Sequence, residues 1–345
     1  MGMKGGWTTG RAAVHWWAVL TAVTTFLLLC SGGLVTSHGV GMAVPDWPNT
    51  FGYNMFLFPV SRWVGGIFYE HTHRLIASWV GLMTIFLCVG LWAVDQRRWV
   101  KVFGTAALVA VCIQGVLGGL RVVLIKDEIG IFHAMLAQSF FIAITLLAIV
   151  TSRRFVEGRW ADYEPAAGLR RWALAGTVLI FLQLGVAATM RHEHIGLSIP
   201  DFPLAYGQWL PDTSAERVQA INAERVANHQ MPTNALQIWV QMVHRFVAVI
   251  IAAAVVVVFL KARAASQAVR GWSSIWLGMI LVQIALGAWT IWSNKAADVA
   301  TAHMALGALS LLLGAVLTFR LYCGARTQDF VLPDARNPRL MAHIA

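Results

Sequence analysis

Charge is scarce in this sequence. Only 12% of its 345 residues are Asp, Glu, Lys or Arg, about half the roughly 25% of an ordinary globular domain. A large soluble core needs charged residues to cover its surface, so a soluble chain is excluded. Cysteine is scarce too: Cys30, Cys88, Cys112 and Cys323 stand singly, with no CxxC pair, which removes the common thiol-based metal and redox signatures. Two targeting patterns are also missing. The first apolar run reaches spanning length without a small-residue cleavage site, and no Arg- and Ser-rich transit segment precedes it. The expectation is an uncleaved first span in a bacterial chain.

What is abundant is apolar sequence: 58% hydrophobic residues and 16 Trp. Runs long enough to cross a bilayer, about 20 residues each, lie near 14–35, 67–94, 101–122, 130–150, 172–190, 236–260, 273–292 and 299–322. They predict an all-α integral membrane protein with eight transmembrane helices, in contact with the lipid bilayer. With the N-terminus inside, 17 of the 26 Lys and Arg residues fall on cytoplasmic segments. By the positive-inside rule both termini are then cytoplasmic. The net charge of +10 reads as topology and lipid contact, with no role for nucleic acid.

An internal repeat organises the chain. "GMAVPDWPNTFG" at 41–52 is echoed by "GLSIPDFPLAYG" at 196–207, "HRLIASWVG" from 73 by "HRFVAVIIA" from 244, "QGVLGG" at 114 by "QIALGA" at 283, and "FHAMLAQ" at 132 by "AHMALGA" at 302. Four echoes in one order predict two tandem pseudo-symmetric four-helix bundles, with parallel repeats related by an axis along the membrane normal. The predicted units are 1–155 and 156–323, followed by a cytoplasmic tail at 324–345.

The repeat selects four of the 11 histidines. His73 with His133, and His244 with His303, form two repeat-related pairs at matched depth near the outer helix ends. His15, His38, His192, His194, His229 and His343 are set aside as loop, helix-end or tail residues. His71, matched by Met242 in the second half, reads as a surface or lining residue. Two imidazoles on neighbouring helices, about 8–10 Å apart by axis, suit a flat metallocycle held from both faces, with His as axial iron ligand. Zinc or copper is the weaker reading, because a closed zinc site wants four ligands at short spacing. With no CxxCH motif, any haem is non-covalent. Arg74 and Arg245 directly follow the first histidine of each pair. They are placed to meet haem propionates or to snorkel to the interface. Glu70 lies one turn before His73 on the same face, whereas the equivalent position before His244 is Gln241. Only one site therefore has an ionisable neighbour, suited to proton relay or charge stabilisation; the alternative is a helix-start acid favoured by the dipole.

The Glu-x-x-His-Arg stretch, the four repeat-related histidines and the PDWP loop together resemble the haem A synthase family over roughly residues 10–322. The resemblance implies oxidation of a porphyrin methyl group of haem O to formyl, giving haem A for terminal oxidases. It implies a haem b cofactor on His244 and His303, with Arg245 beside it. The substrate haem would lie at His73 and His133, with Arg74 beside it and Glu70 as the catalytic carboxylate. It further implies a multi-pass protein of the bacterial cytoplasmic membrane with haem sites near the outer face, in contact with a haem O synthase and a redox partner. Some branches carry a cysteine pair flanking the PDWP segment. Here Val44 and Thr50 stand there, which excludes a disulfide or thiol relay in that loop. The loop 208–235 has an amphipathic stretch, read as a cover over the second haem or as a solvated connector. Two rivals are a di-haem cytochrome b carrying electrons without synthase activity and, behind it, a haem or lipid transporter.

Overall fold

The computed structural model describes residues 7–160 and 168–328, with side chains described to residue 323. Lys4, the tail beyond residue 328 and its His343 lie outside the described residues. The long elements among the described residues are all helices. The spans are α1 (Thr9–Ser37), α2 (Gly65–Val94), α3 (Arg98–Val123) and α4 (Asp127–Thr151), then, after the one-turn α5 (Arg153–Val156), α6 (Leu169–His192). The short α7 (Ala215–Ala227) precedes α8 (Ala235–Ala262), α9 (Gln267–Trp292) and α10 (Ala297–Gln328). All eight expected spans are present as helices long and apolar enough to cross a membrane. In hydrocarbon every backbone N–H and C=O must find its partner within the segment, which only a helix or a closed barrel provides.

The helices reach beyond the apolar runs because polar caps extend them. Ser266 accepts the Val269 N–H at 3.5 Å, so α9 begins six residues before the run at 273. Asn234 accepts the Gln237 N–H at 3.0 Å and starts α8. Asp127 and Glu128 occupy the first turn of α4, where negative charge meets the positive end of the helix dipole.

Buried apolar residues gather in two large clusters and a smaller third one around Ile199, Ile221 and Ile238. Of the large ones, one is drawn from α1 to α4, with Leu87, Leu91, Phe140, Ile144 and Leu147 at its centre. The other is drawn from α6, α8, α9 and α10, with Val255, Val258, Trp276, Leu311 and Leu317. Small residues let large ones in, as membrane helix packing requires. A Cβ at Gly314 would stand 2.5 Å from Trp276 Cζ2, and one at Gly104 would stand 2.5 Å from Leu91 Cδ1. The opposite faces carry exposed Val, Leu, Ile and Trp, such as Val89, Ile113, Val249 and Leu281, as lipid-facing surfaces do. α1, α4, α6 and α10 meet along the middle, where Ser37 Oγ lies 3.0 Å from Thr301 Oγ1.

Two expectations are corrected here. His192, read as a loop residue, is the last residue of α6 and is buried against α4: a Cβ at Gly130 would stand 2.3 Å from its Cε1. His71, read as surface or lining, is fully buried. It shares a hydrogen bond of 3.2 Å with Thr50 Oγ1 and packs between Phe58 and Trp63, because the loop before α2 folds back over its face of the helix. A helix pattern alone does not reveal a loop returning onto it.

Candidate functional site

The two PDxP loops pack onto the helices that carry His73 and His244. In the first, Asp46 accepts the N–H groups of Phe51 and Gly52, each at 2.8 Å, and Thr50 and Tyr53 exchange two backbone hydrogen bonds of 3.0 Å. Phe51 and Gly52 both hold left-handed backbone (φ 50° and 77°), as a type I′ turn demands at its two central positions, so glycine at 52 is a requirement of the turn. Burial pushes the Asp46 carboxyl up, but the Gly52 and Phe51 N–H groups and the nearby Arg74 charge outweigh it and hold it below the usual carboxylate range. The same chemistry recurs in the second loop. Asp201 accepts the N–H groups of Tyr206 and Gly207 at 2.8 and 2.9 Å, with φ of 53° and 78° at these residues.

Each loop is clasped by the helix beneath it. Arg74 donates to the carbonyls of Asp46 (2.6 Å), Asn49 (3.1 Å) and Val44 (2.8 Å), and pairs with Glu70 Oε1 at 2.7 Å. Glu70 Oε2 accepts the Val44 N–H at 2.8 Å, and the residue is only 4% exposed. Arg245 donates to the carbonyls of Asp201 (2.7 Å), Leu204 (2.8 Å) and Pro203 (3.4 Å). Gln241, at 2% exposure, accepts the Ile199 N–H at 2.8 Å and donates to the Ile199 carbonyl at 3.2 Å. The sequence difference between Glu70 and Gln241 is thus a difference between an ion pair and a neutral amide pair on the same loop position. Of five guanidinium N–H donors, Arg74 directs four to the loop and Glu70, and Arg245 directs three to its loop.

Gln114 donates to the His133 carbonyl at 2.8 Å, Gln283 to the His303 carbonyl at 2.9 Å, and Gln183 to the His244 carbonyl at 2.6 Å. One turn beyond Gln114 and Gln283, Gly118 and Gly287 leave room for the rings: a Cβ at either would stand 3.1 Å from Cε1 of His133 or His303. This explains the Gln-x-x-x-Gly echo, whose spacing puts both residues on one helix face. Gly32 on α1 does the same for His73, at 3.0 Å. The Nδ1 atoms of all four histidines are buried without a hydrogen bond. That leaves Nε2 as the accessible ring nitrogen.

This arrangement fits a planar metallocycle. The rings of His244 and His303 have centroids 6.4 Å apart. Two metal–imidazole bonds of about 2 Å, plus the half-width of each ring, come to about 6 Å. Among the described residues, no three His, Cys, Asp or Glu side chains converge as a metal cluster; the donor set of each pair is two imidazoles.

The structure also brings forward residues that carry no motif. Besides His192, these include Arg191, whose Nη2 donates to the Gly33 carbonyl at 2.5 Å and to the Ser37 hydroxyl. α7 is clamped by Arg225 to the Leu197 carbonyl at 2.9 Å and by Asn222 to Thr233, and it buries Ile221 against Ile199 and Ile238. It therefore braces the second PDxP loop from outside.

Known proteins give the chain a place. It is similar to the heme A synthase of Geobacillus kaustophilus, at 26% identity over 337 residues that span 92% of this chain and 93% of that relative. It is similar to the heme A synthase of Shouchella clausii at 24% over 315 residues, 88% and 93% of the two chains. The match to the heme A synthase of Halalkalibacterium halodurans is 31% over 201 residues, 56% of this chain and 64% of that relative. The family model described as cytochrome oxidase assembly protein matches residues 15–316, and the chain belongs to that family.

Proposed function

We propose that this protein carries out haem A synthesis for oxidase assembly, oxidising a methyl group of haem O to formyl within a bacterial cytoplasmic membrane. In this reading the eight spans are two tandem four-helix units, 1–155 and 156–323. Both termini are cytoplasmic and both haem sites lie near the outer face. Support comes from the two large apolar cores, the recurring Asp-capped loops and the Gln–Gly setting of the histidines.

His244 and His303 would hold haem b, whose chemistry is one-electron exchange with the neighbouring site. His73 and His133 would flank the haem O substrate. Arg74 and Arg245 stand at the outer rim of the two sites, holding the loops that exclude water and keeping one and two N–H donors, respectively, for a propionate. Contact with a haem O synthase and a redox partner completes the assignment.

The observation that carries the reading is Glu70. It is a buried carboxylate one turn before His73, in a site whose counterpart has an amide. Oxidising a methyl group next to a porphyrin ring builds positive charge on that carbon and releases protons. Both Glu70 oxygens already accept hydrogen bonds, so the role assigned to it is fixed negative charge toward that carbon, in a site of low dielectric where such charge acts strongly.

The test is haem extraction and chromatography from cells supplying haem O. The intact chain is expected to yield haem A, and the Glu70→Gln chain haem b with unconverted haem O. An electron carrier would give the same haem complement with either chain, and that result would overturn the synthase reading.

A further inference from the structure

Arg74 and Arg245 point most of their donors at loop carbonyls, while a different pair of cations stands nearby without an anion. Arg191, at the outer end of α6, uses Nη2 for the Gly33 carbonyl and the Ser37 hydroxyl. Its other donors make no hydrogen bond among the described residues, although a guanidinium carries five. Ser37 bonds Thr301, two residues before His303, and Thr301 and Met304 press on Gly33. Lys295, in the turn before α10, lays its stem over Gly196, with Cδ 3.5 Å from where a Cβ would stand. Burial, then the Arg191 charge, pulls the Lys295 ammonium below its usual range. Among the described residues no carboxylate is in ion-pair contact with either group. Two neighbouring cations partly withdrawn from water are unfavourable unless an anion answers them.

The arginine belongs to one site only. Where the two PDxP segments align, Thr36 stands in the place of Arg191. Through Ser37, Arg191 is tied to Thr301, on the helix that carries His303. In the first half, Arg121 is paired with Asp127 at 2.9 Å and Arg74 with Glu70 at 2.7 Å.

We propose that Arg191 and Lys295 form an anion seat for the propionate carboxylates of the tetrapyrrole held between His244 and His303. The proposal rests on the haem reading of that histidine pair. Arg191, fixed to α1 through Gly33 and Ser37, supplies a directed fork, and Lys295 supplies a point charge from the opposite turn.

The test needs no turnover. The full chain is purified from haem-deficient cells and titrated with protohaem and with protohaem dimethyl ester, whose side arms are neutral, following the Soret band. The wild type is expected to prefer the free acid by about tenfold or more, the value of one or two charge-assisted hydrogen bonds. The Arg191→Met/Lys295→Met variant is expected to lose most of that preference, Arg245 accounting for the remainder, and Arg191→Lys to keep more of it. Equal binding of the two forms by the wild type, or an undiminished preference in the double variant, overturns the seat. His303→Ala separates the two levels of the argument. If it leaves protohaem binding unchanged, the haem reading itself has failed, whatever the ester comparison gives.

Discussion

Replacing Glu70 by Gln is the sharpest perturbation of this molecule, because it converts one loop clasp into a copy of the other in composition but not in geometry. The amide can still accept the Val44 N–H through its oxygen. Its NH2 group would then face Arg74 Nη2 at the position where Oε1 now sits 2.7 Å away, donor against donor. In the second loop no such conflict arises, because Gln241 places both its donor and its acceptor on Ile199. Breaking a buried ion pair outright costs about 3–5 kcal/mol. Arg74 keeps three carbonyl acceptors, so the expected loss is lower, about 2–3 kcal/mol. Hydrogen–deuterium exchange reads this locally: loop residues 44–50 should exchange about 30- to 150-fold faster at a loss of that size. Residues 196–207 should be unaffected, and haem b should remain. Unchanged exchange at 44–50 would refute the clasp energetics, and loss of haem b would refute the separation of the two sites.

Three further outcomes follow from the geometry. The Asp46 carboxyl lies below the usual carboxylate range in the fold, so its contribution to the first loop is complete above about pH 4. It is lost as pH falls through the lowered value; exchange at 51–53 should rise only in that acidic window, and Asp46→Asn should remove the dependence. Gly287→Val and Gly118→Val crowd rings that lie 3.1 Å from a Cβ, at an overpacking cost of about 1–3 kcal/mol. The first should lower haem b content in a reduced-minus-oxidised spectrum; the second should leave haem b in place and lower haem A yield. His71→Phe leaves Thr50 Oγ1 without its partner and should cost about 1–2 kcal/mol of loop protection by hydrogen exchange. Its haem content should match the wild type, since His71 anchors a loop and ligates nothing.

The spans were legible because an apolar run of bilayer length admits few other folds, and the histidine pairs because the repeat singled them out. What stayed hidden depended on contacts across the chain. His192 and His71 are polar letters near helix ends, and only the loop folded back before α2 and the seam between α4 and α6 bury them. The Gln-x-x-x-Gly echo was visible as a repeat, but its purpose required His133 and His303 to be seen against it. Arg191 belongs to no motif. Its place becomes apparent only when Gly33 and Ser37 hold it and no carboxylate among the described residues pairs with it. Arg74 and Arg245 looked like groups for a ligand, whereas most of their donors serve the chain itself.

The second and third turns of α2 gather Glu70, His71, His73 and Arg74, and each looks in a different direction: one to the Val44 amide, one to Thr50, one to Gly32, one to the loop carbonyls. A helix advances about 100° per residue. One residue inserted between His71 and His73 would turn Glu70 and His71 out of phase with His73 and Arg74, so that the two pairs could not meet their partners together, whereas residues added to the connector at 54–64 would rotate none of them. Along this chain, tolerance of length change should therefore switch abruptly from permissive to forbidden within a few positions of Gly65.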